Sequence, residues 1–283
     1  MKTGNFTGFE VSLKANGVAW FELNTPDRMN GMTTAIKRDL IEAITQAQMD
    51  NAVRVLVFTG QGRAFCAGDD LKGYKGGDLA GNPLVDPIPG GHDNELGTYN
   101  GLRSISQQLN TTIRNLDKLT ICAINGIAIQ TGFSLALSCD FRIAAKSARM
   151  GSATLRFGLL PDEGGQYLLV RTLGLSKALD FLMRKKIVTA DEALALDLVH
   201  EVVADDDLPS AAMGMAEEFA QGPQVAMRLL KRSLYNAAEQ DWTHALDEIA
   251  SKTAISDHHP DAQEGIKAFI EKRDPQFNAW LEE

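Results

Sequence analysis

Two glycine-containing turns are the first places along this chain where the backbone itself could do chemistry. Gly62-Arg63-Ala64-Phe65-Cys66-Ala67-Gly68-Asp69-Asp70-Leu71 follows one apolar run, and Asn125-Gly126-Ile127-Ala128-Ile129-Gln130-Thr131-Gly132-Phe133-Ser134-Leu135-Ala136 follows another. The second opens into an apolar helical pattern with no acidic or basic side chain until Asp140. Amide N–H groups at such a helix start lack an intrahelical acceptor and carry the positive end of the helix dipole. They suit an anion, or a carbonyl oxygen that gains negative charge. A tight strand-to-helix connection that needs glycine for steric reasons fits the same residues. Acid–base groups stand beside loops in two adjacent pairs, Asp69-Asp70 and Asp162-Glu163, the latter on Gly158-Leu159-Leu160-Pro161-Asp162-Glu163-Gly164-Gly165 ahead of a helical pattern. Asp162 as a helix N-cap, with Glu163 supporting the first turn, is the structural alternative.

Other chemistries find no matching pattern. Neither turn reads GxGxxG or as a Walker phosphate loop, and no HExxH or similar ligand pair exists, so neither nucleoside triphosphate chemistry nor a metal is expected. Ser134 has no GxSxG elbow around it. Cys66, Cys122 and Cys139 are odd in number, at spacings that fit neither zinc nor a disulfide framework, and read as small buried hydrophobes in a reducing compartment.

The elements that must position these turns show an α/β pattern. Val18–Leu23 has strand composition and stops at Asn24-Thr25-Pro26-Asp27. A helix is predicted from about Ala35 to Asp50, where Ile36, Leu40, Ile44 and Ala47 recur at helical spacing with charges between them. The run Val53–Gly60 reads as a strand buried on both faces, as do Thr120–Ile124 and Phe141–Ala144. From Lys72 to Gly101 glycines crowd together with Pro83, Pro87 and Pro89, which predicts a long loop near the site, followed by a helix from Leu102 to about Asp117. After about Ala204 only helical spacing remains, in Ala211–Phe219, Gln224–Ala238, Trp242–Ile255 and Asp261–Lys272. The chain divides accordingly into residues 1–204 and a helical region 205–283. In its last helix Ile266, Phe269 and Ile270 share a side that could pack on another subunit or on the chain's own core.

Composition sets the outer limits. The 283 residues are 44% hydrophobic and 23% charged, which excludes a mainly disordered or coiled-coil chain. With 28 Lys and Arg against 37 Asp and Glu, net charge −9, and no basic run interleaved with aromatics, nucleic acid is not expected as a partner. No stretch of about twenty apolar residues and no secretory signal is present, so no membrane partner is expected and a cytoplasmic location is.

Taken together, the two glycine turns resemble the signature segments of the crotonase superfamily, the enoyl-CoA hydratase/isomerase enzymes. Further matching pieces run in that family's order through nearly the whole chain: Leu23-Asn24-Thr25-Pro26 with Met29-Asn30, Ser138-Cys139-Asp140, the Gly158–Gly165 loop, and Glu264–Arg273. The resemblance implies a spiral of ββα units followed by a helical trimerisation region, a homotrimer or hexamer, and an acyl-CoA substrate. No separate cofactor is implied, since coenzyme A arrives as part of the thioester.

By the same resemblance, the backbone amides that hold the thioester oxygen fall on Ala67 and Thr131. Ala67, Gly68, Asp69, Asp70 and Leu71 form the adenine-recognition segment, Arg28 stands where relatives meet CoA, and Phe269 and Lys272 match tail positions that reach a neighbouring subunit's CoA site. That placement argues against reading Asp69 and Asp70 as a glycosidase pair. Asp140 and Arg142 read as structural. The two glutamates of the family's hydratases align with Ser134 and Thr154, neither of which can act as a carboxylate base. Hydration needs one group to activate water and another to protonate carbon, so its usual machinery is missing. Isomerases of the family carry one acidic residue on the Asp162-Glu163 loop, and one carboxylate suffices to remove a proton and return it elsewhere. Asp162 is the expected base and Glu163 the runner-up. The alternatives are a hydratase with an atypical site, thioester hydrolysis or ring cleavage through the same oxyanion site, and acyl-CoA binding without catalysis.

Overall fold

The computed structural model describes residues 1–70, 82–86 and 94–281. Leu71 and most of the predicted 72–101 loop lie outside the described residues. The chain runs β1 (Gly4–Phe6), β2 (Phe9–Leu13), β3 (Val18–Leu23), α1 (Thr34–Met49), β4 (Val55–Gly60), β5 (Ala64–Cys66) and α2 (Glu95–Gly101). A π-helical turn, Leu102–Ser106, leads into α3 (Gln107–Asn115), β6 (Leu119–Ile124), β7 (Ile127–Ile129), α4 (Thr131–Ser138), β8 (Phe141–Ala145) and β9 (Arg149–Gly151). There follow α5 (Gly165–Leu173), α6 (Leu175–Met183), β10 (Ile187–Thr189), α7 (Ala190–Ala195) and β11 (Glu201–Val203), then α8 (Leu208–Gln221), α9 (Gln224–Ala237), α10 (Trp242–Asp257) and α11 (Pro260–Glu271).

Among the described residues the strands form two sheets. One has seven strands in the order β1-β2-β3-β4-β6-β8-β11, antiparallel from β1 to β3 and parallel from β3 onward. The other has four in the order β10-β9-β7-β5. The connections repeat: β4, β6 and β8 each leave the large sheet through a short turn into β5, β7 and β9 of the small one. The α/β spiral of ββα units is thus visible in the hydrogen-bond order.

Period-two alternation explains why β4 is apolar throughout. Leu56 and Phe58 face the main core with α1 and α4, whereas Val55 and Val57 face the opposite layer. That layer is closed by α8, whose Leu208, Ala212, Ala216 and Ala220 recur every four residues and lie flat on the sheet. Asp140 joins α9 to the sheet, as a structural reading requires. Its carboxylate accepts from Lys231 Nζ (2.7 Å), Tyr235 OH (2.7 Å) and the Thr120 amide (2.8 Å) and hydroxyl (2.9 Å). Arg142 likewise donates to the Leu198 and Cys139 carbonyls. All three cysteines are buried, and burial pushes the Cys66 thiol up to about 12.

One expectation is corrected, and two features lie beyond what the sequence pattern carries. The antiparallel strands β1 and β2 precede the first predicted strand. The small sheet went unpredicted, because three-residue strands carry no periodicity to read. The predicted loop does not extend to Gly101: Asn94 caps a helix at Glu95, its side chain accepting from Gly97 N (2.8 Å), downstream of the prolines that forbid helix. Among the described residues no helix is long and apolar enough to cross a membrane.

Candidate active site

The two signature turns meet because of one missing side chain. Helix α4 begins against the end of β5 so closely that a Cβ on Gly132 would lie 2.1 Å from the Cys66 carbonyl oxygen. Thr131, the first residue of α4, is 1% exposed, and its amide has no acceptor among the described residues. Gln130 before it caps the helix at φ 51°, ψ −108°, a backbone region that non-glycine residues rarely adopt.

Ala67 is a correction. Its N–H donates to the Met29 carbonyl (3.0 Å) and is engaged inside the fold. The following residues form a parallel bridge with Met32, which donates to Gly68 O (2.9 Å) and accepts from Asp70 N (2.8 Å). In such a bridge the backbone of the intervening residue, Asp69, turns its own N–H to the side away from Met32. Gly68 makes the turn possible at φ 112°. The side chain of Asp69 meets α4, since Thr131 Oγ1 donates to its Oδ1 (2.8 Å). In this turn the N–H that faces away from Met32 is that of Asp69, two residues beyond Ala67.

Asp162 and Glu163 face different partners. Asp162 is half-buried, and its Oδ1 accepts from Gln130 Nε2 (3.2 Å). Gln130 Oε1 in turn accepts from Ser152 Oγ (3.2 Å), which lies 3.2 Å from Thr154 Oγ1. Burial holds the Asp162 carboxyl above the usual range. Asp162 is not a helix cap, because Gly164 occupies that place in front of α5. Glu163 is 2% exposed and bonded through Oε1 to Lys37 Nζ (2.5 Å), while its Oε2 has no hydrogen-bond partner among the described residues. Burial, only partly offset by Lys37, pushes this carboxyl up to about 7. Of the two positions aligned with catalytic glutamates, Ser134 is 3% exposed and faces Gly165, and Thr154 sits beside Ser152.

Arg28, Gly68, Asp69 and Asp70 do come together, with Ala67 and Met29, around a cleft of about 330 Å³. Arg28 Nη1 pairs with Asp70 Oδ2 (2.6 Å), so these two expected CoA contacts also hold each other. Phe269 (85% exposed) and Lys272, both on the C-terminal helix or its cap, do not line this cleft. Leu71 lies outside the described residues. Sequence reasoning missed Lys37, Ser106, Gln130 and the tie from Thr131 to Asp69. Lys37 had a signal: Leu40, Ile41 and Ile44 stand three, four and seven residues after it, so it belongs to the buried stripe of α1.

The enoyl-CoA hydratase/isomerase family model matches residues 14–85 and 88–279. The 1,2-epoxyphenylacetyl-CoA isomerase of Escherichia coli is 33% identical over 272 residues, covering 95% of this chain and 98% of that protein. A probable enoyl-CoA hydratase of Rhodobacter capsulatus is 32% identical over 95% of this chain and 96% of its own length. Among solved structures, an enoyl-CoA hydratase from Bacillus anthracis superposes with TM-score 0.86 at 31% identity, covering 95% of this chain and 98% of that one.

Proposed function

Since the chain belongs to the enoyl-CoA hydratase/isomerase family, we propose that it binds an enoyl-CoA thioester and moves the carbon–carbon double bond, with Asp162 as the proton carrier. The thioester oxygen sits between the Asp69 and Thr131 amides. Asp162 takes a proton from one carbon of the allylic system, the electrons pass into an enolate whose oxygen the two amides hold, and the same proton returns to the other carbon. No water and no second acid are needed. Loss of one such amide donor typically lowers the rate by about a hundredfold to a thousandfold.

The observation that carries this reading is the half-buried Asp162 carboxylate, held by Gln130 at the head of the helix that presents the Thr131 amide, where neither Ser134 nor Thr154 can supply a carboxylate. Glu163 is unsuited to be the base because it is buried and paired with Lys37. The exposed apolar side chains of α11, Ile266, Phe269 and Ile270, fit assembly into a homotrimer or hexamer whose neighbour brings Phe269 and Lys272 to the CoA moiety. Hydration is the second reading, and what favours it is the name of the Rhodobacter capsulatus relative together with the paired Ser152 and Thr154 hydroxyls, which could hold a water.

The test is a 3-enoyl-CoA followed by the gain of conjugated-enoyl absorbance. Asp162→Asn is expected to lower kcat by about a hundredfold or more, within the usual range for removing a general base. Full isomerase turnover in Asp162→Asn overturns the assignment, and loss of crotonyl-CoA absorbance at a higher rate than isomerisation favours hydration.

A further inference from the structure

The side chains of the two amide-bearing residues are tied to each other, and that tie ends on a buried lysine. Thr131 Oγ1 donates to Asp69 Oδ1 (2.8 Å), and the same oxygen lies 2.7 Å from Lys37 Nζ. Lys37, with 0% exposure in the first turn of α1, also donates to Glu163 Oε1 (2.5 Å) and Ser106 Oγ (2.9 Å). One ammonium therefore joins α1, the turn after β5, the π-helical turn, and the loop that carries Asp162. Through Asp69 it reaches the first residue of α4. Such a cluster is an expensive way to fill a core: a buried lysine is tolerated only with several oxygen partners, and hydrophobic residues of similar volume commonly pack as stably.

We propose that Lys37 is a positioning residue for the oxyanion site, fixing the Asp69 and Thr131 amides relative to one another through their own side chains and offsetting the Asp69 carboxylate charge beside the developing enolate. The proposal rests on the functional reading above. Two physical arguments support it. First, an amide pair can stabilise a transient charge only if its donors are held in place beforehand, and the two donors come from separate turns that have to be connected. The Thr131–Asp69 bond supplies that connection. Second, a carboxylate next to a forming enolate raises its energy unless a cation faces it, and Lys37 is a cation in contact with Asp69. The cluster holds two carboxylates and one ammonium, so it is neutral when Glu163 is protonated and carries one negative charge when Glu163 ionises. The other titratable groups facing Glu163 are Asp69 and Lys37, with Cys66 of β5 behind them and Asp162 next in the chain.

The experiment uses Thr131→Val, which removes the hydroxyl and leaves the backbone amide, and Lys37→Met in a Glu163→Gln background, which removes the lysine without leaving Glu163 charged and unpaired. Enoyl-CoA turnover and amide hydrogen exchange of the 66–70 and 127–135 segments are measured together. The expected result for Thr131→Val is a kcat at least tenfold lower with KM changed less than threefold, faster exchange in both segments, and recovery of both by Thr131→Ser. Lys37→Met/Glu163→Gln is expected to lower kcat at least tenfold below Glu163→Gln alone. A Thr131→Val enzyme with wild-type kcat and exchange overturns the proposal. If wild-type protein turns over no enoyl-CoA, the functional reading fails, and exchange in the unliganded protein then decides the tie by itself: faster in Thr131→Val supports it, unchanged overturns it.

Discussion

Substitution of Gly132 by alanine separates the contribution of geometry from that of every side chain in the site. The added Cβ would lie 2.1 Å from the Cys66 carbonyl oxygen and 2.7 Å from Cys66 Cβ, and ordinary contact begins at 3.4 Å, so the gap must open by 3.4 − 2.1, or about 1.3 Å. Backbone stands on both sides of that contact, since Cys66 belongs to β5 and Gly132 to the first turn of α4, and no side-chain rotation relieves it. The Thr131 amide moves with its helix. A displacement of about 1 Å in catalytic geometry can lower the rate by roughly a hundredfold, and kcat is expected to fall by that order. Stability falls much less, because overpacking of about 1–3 kcal/mol is partly offset by alanine's helix preference over glycine of about 1 kcal/mol. Gly214→Ala, on α8 with nothing within 4 Å of the new Cβ, is the matched control and should stabilise slightly without touching turnover. The assay is steady-state kcat beside urea unfolding for both variants. A folded Gly132→Ala enzyme that keeps kcat within threefold of wild type refutes the argument that this close approach sets the amide geometry.

Two further outcomes follow from buried charge. Glu163 is raised from its ordinary 4.5 to about 7, so between those values the folded protein keeps a proton that the unfolded chain releases. Its contribution is fully present below about 4.5 and is lost as pH rises through about 7; in Glu163→Gln the unfolding free energy should lose a corresponding decline, on the order of a few kcal/mol at most, and urea midpoints at about pH 5 and pH 8 check it. Asp140→Asn leaves Lys231, whose side chain is 1% exposed, without its counter-charge, and should destabilise by about 3–5 kcal/mol in urea unfolding while leaving the KM for acyl-CoA unchanged.

How far the sequence could be read depended on whether the signal was local. β3, β4 and β6 are buried runs stopped by asparagine or glycine, β8 is a buried run that starts after Asp140, and α1 and the C-terminal helices keep a 3.6-residue period over three or four turns. Their placement within three residues follows from information inside each segment. The short strands of the second sheet carry no such information, because their pairing is set by the spiral and not by their own three residues. The family resemblance put the first amide at Ala67, whose N–H the structure engages with Met29. Which N–H in a glycine turn points outward depends on what the neighbouring N–H groups bond to, and Met29 and Met32, the partners that orient this turn, come from a different stretch of chain.

Lys37 shows the same limit from the other side. Periodicity places it among Leu40, Ile41 and Ile44, which by the usual rule makes a charged residue there an error or a partnered group. Its partners are 32 residues away at Asp69 and 126 residues away at Glu163, neither of which a helical pattern can announce. A charge on an apolar stripe predicts that complementary charges arrive from elsewhere in the fold. In this chain two carboxylates sit in signature loops, Asp69 after β5 and Glu163 before α5, so the lysine on the stripe and the carboxylates in the loops specify one another. Charge on a buried helix face and acidic residues in glycine loops are each ambiguous alone; a fold in which both fall on the same point removes the ambiguity, because leaving any one of the three unpaired would cost more than its neighbours' packing returns.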